Sequence, residues 1–234
     1  MSLSIAGALA SVQQRLDAAT AATRRPAGSV ALLAVSKTFP ADAVRAAHAA
    51  GVTAFGENYV QELVEKSTTL AELPLEWHFI GPLQSNKTRP VAERADWVHT
   101  VDRLKIAERL SAQRPAALPP LNVCVQVNVS GEATKSGVAL EDAPALARAV
   151  AALPNLKLRG LMCIPEPTED TARLAEQFAA LRRLLETLNA EGLALDTLSM
   201  GMSADLELAI AEGATVVRVG SAIFGARVYG APQA

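Results

Sequence analysis

The sequence predicts a single α/β domain of the closed (β/α)8 barrel class. Three observations carry that expectation. Eight short apolar runs alternate with segments of helical spacing along the 234 residues, the pattern of a parallel sheet covered by helices. The count and the even spacing favour a closed barrel over an open doubly wound sheet, which commonly has fewer strands. No shift in composition marks a linker or a second domain. A barrel typically takes roughly 250 residues, so the loops are expected to be compact.

The chain opens with apolar residues at Leu3, Ile5, Leu9, Val12 and Leu16, near helical spacing. An amphipathic helix within residues 1–25, packed on the barrel, follows from them. Strands are expected at Val30–Thr38, Val52–Asn58, Trp77–Ile80 and Trp97–Val101. Helices should follow them at Ala41–Ala50 (Gly51 beyond its end), Tyr59–Leu73 (stopped by Pro74) and Asn86–Arg94, then after Asp102 as cap to Gln113. In the second half strands are expected at Leu121–Val129, Leu158–Ile164, Leu198–Met202 and Val216–Val219. Their helices are Leu140–Ala152, Thr171–Ala190 with Gly192 behind it, and Ala204–Ala211 ended by Gly213. Domain bounds of 1–234 follow.

Bulk properties exclude several classes. A net charge of −2, with no basic run, supplies no footprint for nucleic acid. No apolar stretch reaches the length that spans a bilayer, and polar residues from Gln13 to Asp17 interrupt anything resembling a signal peptide. Cys124 and Cys163 both lie in apolar runs, as buried free thiols in a reducing compartment do. A cytoplasmic protein without membrane association is expected.

In a barrel of this kind the active face lies at the carboxyl ends of the strands. Lys37 ends the first of them. Period-two alternation puts Ala31, Leu33, Val35 and Lys37 on one side, so a core-facing Leu33 and Val35 would bring Lys37 out at the mouth. On position alone a solvated strand-end lysine is an equal alternative. The last two strands shift the balance, since they run into Ser199-Met200-Gly201 and Gly220-Ser221-Ala222. The loops after strands seven and eight frequently form a barrel's phosphate site, with close backbone approach at glycine and amides at a helix start. Strand eight neighbours strand one in a closed barrel. A phosphorylated carbonyl compound held as a Schiff base on Lys37 is therefore expected. A free lysine amine is uncharged in only about one molecule in a few thousand at pH 7, so desolvation or a nearby cation must favour the neutral form. Arg218, on the same face as Val216 and Gly220, is the candidate cation. An arginine at a pyridine nitrogen would also leave that nitrogen unprotonated and weaken an electron sink. An aldolase using Lys37 directly on a sugar phosphate remains open on these residues.

The motifs Ala34-Val35-Ser36-Lys37-Thr38, Phe55-Gly56-Glu57-Asn58-Tyr59-Val60-Gln61-Glu62 and Trp77-His78-Phe79-Ile80-Gly81-Pro82-Leu83-Gln84-Ser85-Asn86-Lys87 add a resemblance. It continues through Gly160-Leu161-Met162, Leu198-Ser199-Met200-Gly201-Met202-Ser203 and Arg218-Val219-Gly220-Ser221-Ala222-Ile223-Phe224-Gly225. Together these resemble the pyridoxal phosphate homeostasis protein family. The resemblance implies a barrel similar to the amino-terminal domain of alanine racemase, carrying pyridoxal 5′-phosphate (PLP) on Lys37 with Arg218 toward the ring nitrogen. It implies Ser199, Met200, Gly220 and Ser221 at the phosphate, Asn58 beside the ring, Met162 as a further cofactor-binding residue, and Lys135 as a further family lysine. It also implies a buffer or supplier of vitamin B6, with PLP-dependent apoenzymes as recipients, no efficient turnover, and a monomer or weak homodimer. A PLP-dependent amino-acid racemase is the alternative. Two-base racemisation needs an acid/base on the ring face opposite the lysine, and neither Tyr59, turned away if Asn58 points in, nor Tyr229 in the tail is expected there. His78 and His99 are expected to be satisfied structural residues.

Overall fold

The computed structural model describes residues 4–131 and 136–225. Helix α1 (Ile5–Ala22) is followed by β1 (Ala31–Val35), α2 (Ala41–Ala49), β2 (Ala54–Glu57), α3 (Val60–Thr69) and β3 (Glu76–Phe79). A 3-10 turn at Ser85–Lys87 leads into α4 (Thr88–Arg94), β4 (Trp97–Val101), α5 (Leu104–Gln113) and β5 (Leu121–Asn128). The two-residue β6 (Val138–Ala139), α6 (Ala143–Ala151), β7 (Leu156–Met162) and α7 (Thr171–Ala190) come next. The order ends with β8 (Thr197–Ser199), α8 (Leu206–Ala211), β9 (Val216–Val219) and α9 (Ser221–Phe224).

Eight strands close a parallel barrel in the order β4-β3-β2-β1-β9-β8-β7-β5, sealed by β4 against β5. The first and last strands meet as expected, with Leu33 opposite Arg218 and Ala34 opposite Val219. β6 adds a short parallel pairing at the end of β5. The strands alternate between two environments. Ala34, Phe55, Trp77, Phe79, Val98, Val217 and Val219 join the apolar shell under the helices. Leu33, Val35 and Ile80 pack inside the barrel with Ala54 and Val216, and Trp97, Cys124 and Met162 form a second interior cluster. Phe55, Phe79 and Phe178 are fully buried, and each such side chain stabilises the fold by about 1.5–3 kcal/mol.

Helix α1 starts at Ser4, whose Oγ accepts from the Gly7 amide at 3.2 Å. It buries Leu9, Val12 and Leu16 and packs against α2, α8 and α9. Arg15 grips Glu207 of α8 with two hydrogen bonds, at 2.7 and 2.9 Å. Cys124 and Cys163 are buried and unbridged, and burial pushes both thiols up to about 12. Among the described residues no helix is long and apolar enough to cross a membrane.

Several boundaries differ from the sequence expectation. The first strand stops at Val35, because Ser36–Phe39 forms a turn in which the Phe39 amide donates to the Ser36 carbonyl at 3.1 Å. Asp102 does not cap the following helix; Arg103 holds that position and pairs with Asp102 at 2.7 Å. The helix after Gly137 starts at Ala143 rather than Leu140, because β6 and a turn occupy the intervening residues.

Candidate functional site

Lys37 leaves β1 within a turn pinned on both sides. Ser36, fully buried, donates from Oγ to Glu57 Oε1 at 2.6 Å. The Lys66 ammonium, reaching in from α3, donates to the Ser36 carbonyl (2.8 Å), to Glu57 Oε1 (2.8 Å) and to Glu62 Oε2 (2.7 Å). Glu62 Oε2 in turn accepts from the Thr38 amide at 2.8 Å. Thr38 carries φ +69°, a left-handed conformation that costs a threonine energy. The hydrogen bonds on either side hold that conformation. Sequence reading missed this cluster, although the i, i+4 pair Glu62–Lys66 was visible on a predicted helix.

Glu57 sits at 0 % exposure, and burial raises its carboxyl to about 7 against the opposing pull of Lys66. A folded carboxyl that keeps its proton to about pH 7, when an unfolded one releases it near 4.5, weakens folding as pH rises through that window. Glu57→Gln is expected to flatten this part of the stability–pH profile. The difference in Tm between wild type and variant, followed from pH 4.5 to 8, checks the sign.

A cleft of about 300 Å³ opens at the carboxyl end of the barrel, with Val35, Lys37, Asn58, Arg218, Gly220 and Ser221 in its lining. Ser203, Met202 and Ala204 from the β8–α8 loop, Ile80 and Ile164 complete it. Such a volume, with apolar walls and few convergent polar groups, suits a small ligand. Asn58 contributes a buried Oδ1 that has no hydrogen-bond partner among the described residues, an acceptor a ligand could satisfy. Arg218 is 4 % exposed. It donates from Nη1 to Ser199 Oγ and from Nη2 to the Cys163 carbonyl, both at 2.9 Å, which fixes the plane of its guanidinium. At the other end of the cleft Gly220 packs so closely on β1 that an added Cβ would stand 3.1 Å from the Val35 carbonyl oxygen. The Ser221 and Ala222 amides then open α9, at positions where a helix offers no internal acceptor.

Lys37, Asn58, Arg218, Gly220 and Ser221 are thus brought together. The other three candidates stand off the lining. Ser199 is fully buried and its hydroxyl is engaged by Arg218 and by His99 Nδ1 at 2.8 Å. The Met200 amide is spent on the Val216 carbonyl at 3.1 Å, and its side chain lies in the helix-facing core. Met162 packs inside the barrel on Trp97 and Cys124. The physical reason is the pleat: the strand-end motif turns only after Gly201 (φ +93°), so Ser203 reaches the cleft that Ser199 was expected to line. Ser203 and Ile80 stand in the motifs quoted above without an assigned role, and Ile164 ends an expected strand. Tyr59 is 56 % exposed, in an outer groove beside α3. Lys135 and Tyr229 lie outside the described residues.

The barrel and the lysine at the end of its first strand define a class. The sequence profile of the family described as alanine racemase, N-terminal domain, matches residues 9–228. The chain is 68 % identical to the pyridoxal phosphate homeostasis protein of Pseudomonas aeruginosa, over 97 % of this chain and 98 % of the relative. It is 54 % identical to the protein of the same name from Escherichia coli K12, over 96 % and 97 %. Among solved structures, PipY of Synechococcus elongatus with PLP bound superimposes with a TM-score of 0.84 at 40 % identity, covering 94 % of this chain and 100 % of that one. The chain belongs to the pyridoxal phosphate homeostasis protein family, built on the alanine racemase N-terminal barrel.

Proposed function

We propose that this chain binds PLP in the cleft at the carboxyl end of its barrel, held covalently through Lys37, and buffers or supplies it to PLP-dependent apoenzymes. The observation that carries the reading is the convergence of Lys37, Arg218 and the orphaned Asn58 Oδ1 on one cleft that ends at Gly220-Ser221. These residues fit the group. Lys37 stands where an amine can meet an aldehyde, Arg218 where a cation can face a ring nitrogen, and Ser203, Gly220 and Ser221 where hydroxyls and amides can hold a phosphate. When bound, PLP supplies an aldehyde that condenses with an uncharged amine and a ring that withdraws electrons. Lys37 is half-buried, and Arg218 lines the same cleft.

Lys37 and Arg218 are the ionisable residues of the described lining. That composition favours holding over two-base proton exchange, which needs a second acid/base across the ring. PLP bound to the PipY relative supports the ligand class. The decisive experiment is borohydride reduction of protein saturated with PLP, followed by peptide mapping. The adduct is expected on the peptide containing Lys37 and is expected to disappear in Lys37→Ala. An adduct on another side chain, or none at saturation, overturns the assignment. Transfer of the cofactor to an apoenzyme faster than from free PLP at the same concentration tests the supply role.

A further inference from the structure

A chain of hydrogen bonds crosses the barrel interior from its amino end to the cleft. Glu76, the first residue of β3, has a side chain 51 % exposed, and its Oε1 lies 2.7 Å from His78 Nε2. His78 Nδ1 lies 2.8 Å from His99 Nε2, and His99 Nδ1 lies 2.8 Å from Ser199 Oγ. Ser199 Oγ is then met by Arg218 Nη1 at 2.9 Å. His78 and Arg218 are each 4 % exposed, and His99 and Ser199 are fully buried.

The two ends fix the direction of every bond between them. A guanidinium can only donate, and an ionised carboxylate can only accept. Ser199 Oγ therefore accepts from Arg218. With both rings uncharged, a single arrangement satisfies every contact. Ser199 O–H donates to His99 Nδ1, His99 Nε2–H donates to His78 Nδ1, and His78 Nε2–H donates to Glu76. Reversing any one of these would leave His78 Nε2 without a proton against a carboxylate. Each ring is thus the Nε2–H tautomer. Burial, with the nearby His78 and Arg218, pushes His99 well below its ordinary range, so its ring stays uncharged.

We infer that Ser199, His99 and His78 are positioning residues for Arg218, and that this donor-ordered relay transmits the protonation of His78 to the cleft. When His78 takes up one proton at Nδ1, that nitrogen becomes a donor to His99 Nε2. His99 must then carry its proton on Nδ1 and donate it to Ser199 Oγ. The serine oxygen accepts from both neighbours, and its own proton turns out of the chain. The relay gains one proton in all; the far end registers it as a changed partner for Arg218.

The surroundings of His78 are charged on several sides. Glu76 belongs to its own strand, and Asp96, just before β4, interacts with it electrostatically. The Trp97 ring stacks on it with centroids 5.4 Å apart, and the Arg159 guanidinium lies 4.7 Å from the Trp97 centroid while paired with Asp196. Asp205, Cys163 and Cys124 act on Arg218 at the other end.

The inference rests on the PLP reading only for its second readout. The first is histidine ¹⁵N NMR of the full chain without ligand, with His48, on α2 outside the barrel, as reference. Above the titration of His78 both interior rings are expected as Nε2–H. On acidification His78 is expected to become cationic while His99 passes from Nε2–H to Nδ1–H at the same midpoint and stays uncharged. A His99 that is Nδ1–H at the start, or that keeps its tautomer while His78 charges, overturns the relay. In PLP-saturated protein the absorption maximum is expected to shift with that same midpoint. Ser199→Ala should abolish the shift, and Ser199→Thr, which keeps the hydroxyl, should restore it. A shift that survives in Ser199→Ala also overturns the relay. Failure to bind PLP would sink the functional reading and leave the NMR test intact.

Discussion

Lys66→Met is expected to be among the most destabilising single substitutions in this chain. It removes the Lys66 cation bonded to Glu57 and leaves a fully buried carboxylate facing Glu62 with Ser36 as its remaining partner among the described residues. Breaking a buried pair from one side costs about 3–5 kcal/mol, because the abandoned charge keeps its desolvation penalty. In a domain of this size that lowers Tm by roughly 6–20 °C. Protonation relieves the carboxyl, so the loss should grow from pH 6 to pH 8. The double variant Lys66→Met/Glu57→Gln, which removes both charges, should recover much of the stability. Thermal melts of the three variants at both pH values form the cycle; additive losses would show that the two side chains are not coupled. Because Lys66 also holds the Ser36 carbonyl beside Lys37, PLP attachment is expected to slow in the single variant.

Gly81→Ala is expected to damage the cleft without replacing any residue of its lining, through the backbone of Asn58. A Cβ at Gly81 would fall 2.0 Å from the Asn58 carbonyl oxygen and 2.7 Å from its Cα. Those are backbone atoms, so β2 and the loop after β3 must part. Overpacking of this kind costs typically about 1–3 kcal/mol. The Asn58 side chain would leave the position at which its Oδ1 faces the cleft. Weaker PLP binding together with a lowered Tm is the expected result, read by absorbance titration and by melting. Unchanged binding would remove Asn58 from the site.

Much of this was legible in the chain. Alternation groups Leu33 and Val35 with Lys37, and Val216 and Gly220 with Arg218; the structure turns Leu33, Val35 and Val216 inward and sets Val217 and Val219 under the helices. Asn58 inward and Tyr59 outward follow from the same period of two. Of the motif around Ser199, the structure places Ser203 on the cleft lining and Ser199 behind it, against Arg218 and His99. Nothing in the local sequence says whether a strand-end serine ends its strand facing a neighbour or facing the mouth, and Ser203 takes the exposed place. His78 and His99 are expected to be satisfied residues, and what satisfies them is each other, 21 positions apart on neighbouring strands, together with Glu76 and Ser199.

Periodicity, strand count and turn residues are local properties, so the sequence by itself determined the barrel, the mouth at the carboxyl ends, and the lysine and arginine that face one another's strands. The packing of α3 against β2 set Lys66 beside the Lys37 turn, and closure of the sheet joined Glu76 to Arg218 through three buried side chains. Those contacts depend on distances between residues far apart in the chain, and on which few polar groups share a water-free interior. Only the packed fold decides either.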